Sequence, residues 1–209
     1  MGEVGFDGGI SETELARFAR EPVFSGIPDA ERRHVGAIAR RLAVRSGSFF
    51  LREGDAPDRV AYVGRGLFRV FFITAEGEER TVAFRGVGRL LSGYTSSLER
   101  SPAAYSIQAI EDGVLYWLPL AAVDELMKRH RCWPELATRY AQLLFMEKEL
   151  REREFLSLDA EARYAAFLTQ YPGIEERIPQ YLVASFLGIS PVTLSRIRRS
   201  RIRRSMLGR

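Results

Sequence analysis

The chain has 209 residues, with 31 Lys or Arg against 27 Asp or Glu, a formal net charge of +4. Residues 1–177 hold 24 basic and 27 acidic side chains, whereas residues 178–209 hold seven arginines and no acid. An asymmetry of this kind points to an end that meets a polyanion, and a chain that is 46% apolar excludes a disordered polyelectrolyte as the whole answer.

Residues 1–10 are Gly-rich and acidic and read as a frayed tail. Ser11 followed by Glu14 forms a capping box that opens a helix to about Arg20. Pro28 sits at the first turn of a second helix, whose apolar positions are Val35, Ile38 and Leu42. From Ser48 to Leu118 short β-type runs follow, over 48–52, 59–64, 67–74, 80–84, 103–110 and 114–118, broken by Gly, Pro and Asp. In 67–72, Leu67, Arg69 and Phe71 alternate with Phe68, Val70 and Phe72, as in a strand covered on both faces. Many short strands at close spacing predict a sandwich or barrel.

Pro119 then begins a helix through about Arg129, and Pro134 a longer one to about Ser157. On the latter, Leu136, Tyr140, Leu143, Met146 or Glu147, and Leu150 follow a 3-4 spacing suited to a partner helix, and Leu136, Tyr140, Leu143 and Leu150 are assigned to a dimer interface. The other reading packs this stripe on the barrel of the same chain. Asp159 is an N-cap for a helix to Gln170, which Tyr171-Pro172-Gly173 ends, and a further helix starts near Pro179. The expected division is a tail and short helix (1–24), a β-roll (25–130), a long dimerisation helix (131–157) and a small helical domain with a basic tail (158–209).

Residues 180–199 fit a helix-turn-helix. Two helices that cross steeply need a small residue at their approach, here Ala184, and the turn needs a left-handed backbone, here Gly188. Leu194 and Ile197 complete the core, Ser190 caps the second helix and Pro191 is tolerated at its first position. With Leu194 and Ile197 inward, Val192, Arg196, Arg199 and Arg203 face outward, flanked by Thr193 and Ser195. The N-terminal part of such a helix enters the major groove, so Arg196 is the candidate for a bidentate contact to guanine. Val192 is placed against a thymine methyl, and Arg199, Arg201, Arg203 and Arg204 against phosphates. Gln180, Ser190, Thr193 and Ser195 complete the DNA-binding set.

With this motif, the Glu53-Gly54-Asp55 turn, the 64–70 strand and the 106–112 strand, the sequence resembles the cyclic-AMP receptor / fumarate-nitrate regulator (Crp-Fnr) family of transcription factors over roughly residues 25–204. The resemblance implies an α+β fold: an N-terminal cyclic-nucleotide-binding-like β-roll (a double-stranded β-helix), a long dimerisation helix and a C-terminal helix-turn-helix. It also implies double-stranded DNA and a second copy of the chain as partners, RNA polymerase as a further one, and a site of two-fold symmetry.

Two departures stand out. Family members that bind a cyclic nucleotide carry Gly-Glu for the ribose and, about ten residues on, Arg-Ser for the phosphate. Ser92-Gly93 and Ala103-Ala104 stand at those places. Burying a phosphate without a cationic partner is costly, so cyclic AMP is not expected to bind. Another small-molecule effector would touch Ser92, Gly93, Tyr94, Thr95 and Ser96; the alternative is a collapsed cavity. The second departure is the missing β-hairpin wing, since only about ten residues follow Arg199.

Other chemistries have little to work with. Cys132 is the single cysteine, and His34 and His130 are the only histidines, so no disulfide, iron–sulfur cluster, haem ligand set or cupin-type metal centre is expected. No catalytic set is proposed and the chain is read as a non-enzyme. No run approaches 18 apolar residues and no signal peptide is read, so a cytoplasmic protein without a membrane span is expected. The alternatives are a ligand-binding module that has lost specific DNA binding, and a cupin-like enzyme.

Overall fold

The structure, a computed structural model, describes residues 6–7, 10–20 and 24–207. The chain divides into two compact units, one of residues 1–72 and 83–144 and the other of residues 73–82 and 145–209.

In the first unit, β1 (Phe6–Asp7), α1 (Glu12–Arg20) and α2 (Asp29–Ile38) lead into β2 (Arg40–Val44), β3 (Phe49–Leu51), β4 (Arg59–Arg65) and β5 (Phe68–Ile73). After β6 (Glu79–Arg85) come β7 (Leu90–Leu91), α3 (Tyr94–Glu99), β8 (Ser106–Ala109), β9 (Gly113–Pro119) and α4 (Leu120–Arg129). The strands form a five-stranded sheet in the order β1-β2-β9-β4-β7 and a four-stranded sheet in the order β3-β8-β5-β6. Central strand β9 sets Leu115 opposite both Leu42 and Val63 in antiparallel register, and all three are buried. Burial of each such side chain contributes about 1.5–3 kcal/mol. On the other face of the same sheet, Tyr62, Val114 and Tyr116 pack with Phe24, Val35, Leu126, Trp133 and Leu136 from the helices.

The capping box is in place: Ser11 N–H donates to Glu14 at 2.9 Å and Glu14 N–H to Ser11 Oγ at 3.3 Å. Three elements differ from expectation. The second helix ends at Ile38, and Leu42 belongs to β2. Five paired residues with β9 outweigh the helical spacing of Val35, Ile38 and Leu42. Phe6 and Asp7 pair with Leu42 and Arg41 rather than fraying. The segment 94–99 is a short helix, α3, in a stretch to which the sequence pattern assigns no helix or strand.

The long helix α5 (Cys132–Ser157) runs from the first unit into the second. The second unit continues with α6 (Ala160–Gln170), a 3-10 turn at Ile174–Glu176, α7 (Gln180–Leu187) and α8 (Pro191–Leu207). Asp159 caps α6, its carboxylate accepting from Ala162 N–H at 2.8 Å. Among the described residues no helix is long and apolar enough to cross a membrane, and no group of three or more His, Cys, Asp or Glu could hold a metal ion.

Candidate nucleic-acid interface

Helices α7 and α8 meet at the turn 188–190. Gly188 has φ +66°, and an added Cβ would stand 2.8 Å from the Phe155 ring, so both conformation and space demand glycine. Ala184 is 1% exposed at the crossing, beside Val183 and Leu187. Ser190 Oγ accepts from Thr193 N–H at 3.1 Å, satisfying one of the free donors at the start of α8. Leu194 is wholly buried and Ile197 half-buried, which fixes the rotation of α8 about its axis.

That rotation leaves Val192 70% exposed and Ser195, Arg196, Arg199 and Arg203 exposed as well. Val192, Arg196, Arg199 and Arg203 therefore form one outward stripe, while Thr193 is half-buried beneath the cap. Gln180, at the first turn of α7, is half-buried and donates through Nε2 to Glu175 O at 3.4 Å. The helix runs through Leu207, into the segment read as a basic tail, and Arg209 lies outside the described residues.

The remaining arginines divide. Arg204 pairs with Glu161 and donates to Ser200 Oγ at 3.0 Å, and the Arg201 guanidinium lies 5.9 Å from the Tyr164 ring centre. Both lean on α6, so they are placed differently from the outward stripe. Tyr164 donates to Glu175 at 2.5 Å, and burial together with that carboxylate pushes its hydroxyl up to about 12.

Two arginines not singled out in the sequence hold this interface from behind. Arg151 donates through Nη2 to Phe186 O at 2.8 Å and to Thr81 O at 3.2 Å. Its guanidinium packs 4.0 Å from the Phe186 ring centre, and burial lowers its pKa to about 10. Arg163 donates to Leu187 O at 3.2 Å. The free carbonyls at the end of α7 thus receive cationic donors, the favourable sign for a helix C-terminus. Ser185 of α7 accepts from Thr81 N–H at 2.9 Å and donates to Glu79 O at 3.0 Å, which ties residues 79–81 to the same helix. A periodicity argument could not find these contacts, because their partners are main-chain atoms of distant segments.

The proposed dimer stripe is partly occupied within its own unit. Leu136 and Tyr140 are 8% and 7% exposed, and Tyr140 Oη both donates to Leu90 O at 2.9 Å and accepts from Leu90 N–H at 3.0 Å. Leu143 is half-buried and Leu150 is exposed. The apolar side chains that α5 leaves most open are Phe145, Met146 and Leu156, a turn or more farther along.

At the effector segment, Gly93 has no room for any side chain: an added Cβ would lie 2.6 Å from Pro57 Cγ and 2.7 Å from Pro57 Cβ. Ala103 is buried, with its N–H donated to Asp55 O at 2.8 Å. Tyr105 donates to Ser92 O at 2.9 Å, and burial raises its hydroxyl pKa. Thr95 is exposed and Ser96 buried, whereas Ser92 and Tyr94 line a cavity of about 450 Å³ in the first unit.

Residues 41–130 match the family model of the cyclic nucleotide-binding domain. Among curated proteins, the transcriptional activator protein Anr of Pseudomonas protegens is 26% identical over 136 residues, covering 63% of this chain and 53% of Anr. The patatin-like phospholipase domain-containing protein 6 of Pongo abelii is 31% identical over 102 residues, 49% of this chain and only 7% of that protein. The chain therefore spans no more than about half the length of either. Among solved structures, the catabolite activator protein of Thermus thermophilus is 26% identical, covers 88% of each chain and superposes with a TM-score of 0.57.

Proposed function

From a chain that belongs to the Crp-Fnr family, with a cyclic-nucleotide-binding domain followed by a helix-turn-helix, we propose a transcription regulator that reads double-stranded DNA through α8. The observation that carries this reading is the exposed stripe Val192, Arg196, Arg199 and Arg203 on a helix capped by Ser190 and anchored by Leu194. Arg196, nearest the N-terminus of α8 among the arginines, reads a guanine edge, a pairing worth about 1–3 kcal/mol of discrimination. Arg199 and Arg203 meet phosphates and supply affinity that falls with salt.

A second copy packs along the later part of α5. Phe145, Met146 and Leu156 supply its apolar seam in addition to Leu150, because Leu136 and Tyr140 are buried in their own unit. The dimer reads a two-fold symmetric site whose half-sites lie about 34 Å apart. Cyclic AMP is not its signal. This is supported by the packing of Pro57 against Gly93 and by alanine at 103 and 104, which together leave the ribose and phosphate without partners. The regulator works in the cytoplasm beside RNA polymerase.

Selection of bound sites from random DNA, repeated with Arg196→Ala, tests the reading. The expected result is a symmetric site with one G·C pair per half-site that the variant no longer prefers. Undiminished preference removes Arg196 from base recognition, and a lone half-site removes the dimer. Binding that follows salt but no sequence would instead favour a ligand-binding module without specific DNA recognition.

A further inference from the structure

The cavity of about 450 Å³ in the first unit is lined by Ser92 and Tyr94 of the effector segment, but not by Gly93, Ala103 or Ala104. Tyr62, Tyr116 and Leu90 stand side by side on its wall, in register across β4, β9 and β7, on the sheet face opposite to Leu42, Val63 and Leu115. Helices close the other sides, through Val123 and Met127 of α4 and through Trp133 and Ala137 of α5. Its size is that of a small-molecule site, and its walls are mostly apolar and aromatic with a few hydroxyls, the usual make-up of such sites.

The charge of the lining selects the ligand. No Lys or Arg is among the described residues that line the cavity, whereas two carboxylates are, Glu14 and Asp124. Glu14 is held by Tyr116 Oη and by Ser11, and Asp124 is exposed at the edge. An anion placed here would lose its hydration with no cationic partner and would face two like charges. Ser92 and Ser97 offer hydrogen-bonding groups to a ligand without net charge.

We propose that this cavity is a binding site for an uncharged, largely apolar small molecule, which shares Ser92 and Tyr94 with the effector segment but leaves out positions 93, 103 and 104. The occupant touches α3 through Tyr94, Ser97 and Leu98 and the first half of α5 through Trp133 and Ala137, so one molecule bridges both helices. The site does not depend on whether the chain binds DNA.

Titration of the full chain with the neutral dye N-phenyl-1-naphthylamine is the test. Saturable binding of one dye per chain, with energy transfer from Trp133, is expected. Ala137→Phe fills the cavity and weakens the dye by about 10-fold or more. Leu98→Asp, at a position 68% exposed where folding is safe, adds a charge at the rim and weakens it several-fold. The anionic analogue 8-anilinonaphthalene-1-sulfonate binds about 10-fold or more weakly than the neutral dye. Non-saturable uptake, or affinity unchanged in both variants, overturns the site. Equal affinity for the sulfonate overturns the ligand class.

Discussion

The outward face of α8 and the cavity beside β4 and β9, the two proposed binding sites, are opposite in shape and charge. The first is convex, carries exposed guanidinium groups and is anchored by one wholly buried leucine. The second is concave and aromatic, and among the described residues that line it are two carboxylates and no Lys or Arg. The difference teaches that the exposed guanidinium groups suited to an anion and the alanines at the phosphate positions of the roll fall in different units. The β-roll retains its sheets while the positions that would hold a phosphate are alanines.

The largest effect that separates the two regions comes from Leu194→Ala. Truncation of this fully buried side chain is expected to cost the second unit about 2–5 kcal/mol and, with it, the proposed DNA binding. Dye binding in the first unit remains, which paired thermal melts and titrations measure; joint loss would mean that the two regions are one cooperative body. Next in size is the missing phosphate partner. Charge-assisted hydrogen bonds contribute about 1.5–3 kcal/mol each, and calorimetry with cyclic AMP is expected to show no micromolar binding. Micromolar binding would erase the contrast.

The smallest effect is a pH dependence. The Tyr164 hydroxyl rises to about 12 in the folded chain from an unfolded value near 10. Its stabilising contribution is therefore complete below about pH 10 and is lost as pH rises through about 12. Tyr164→Phe should flatten the fall of the unfolding midpoint between those values, as followed by circular dichroism. An unchanged slope would place the alkaline sensitivity elsewhere.

Much of the second unit was legible because its signals are local. Ala184, Gly188, Ser190, Pro191 and Leu194 each meet a steric or hydrogen-bonding need within a few residues of sequence. Most strands of the roll were legible from alternation and turn residues. Strand β2 was not, since Val35, Ile38 and Leu42 happen to keep helical spacing while Leu42 is claimed by β9. Helix α3 was missed because Tyr94-Thr-Ser-Ser97 has weak helical propensity. The cavity was beyond reach for a different reason. Its walls come from residues scattered between Ile10 and Tyr140, and nothing in a local pattern reports how much space they leave.

The tie between Ser185 and residues 79–81 has a kinetic consequence. Thr81 and Ser185 are 104 positions apart, so the second unit is completed by a segment synthesised long before most of it. Closing a loop of that length is slow compared with forming α7 or α8 alone. A fragment beginning at residue 145 would lack the donor and acceptor that Ser185 and Arg151 engage. During synthesis, the hairpin tip waits for its helix, and a change at Thr81 would register first as delayed maturation of the second unit.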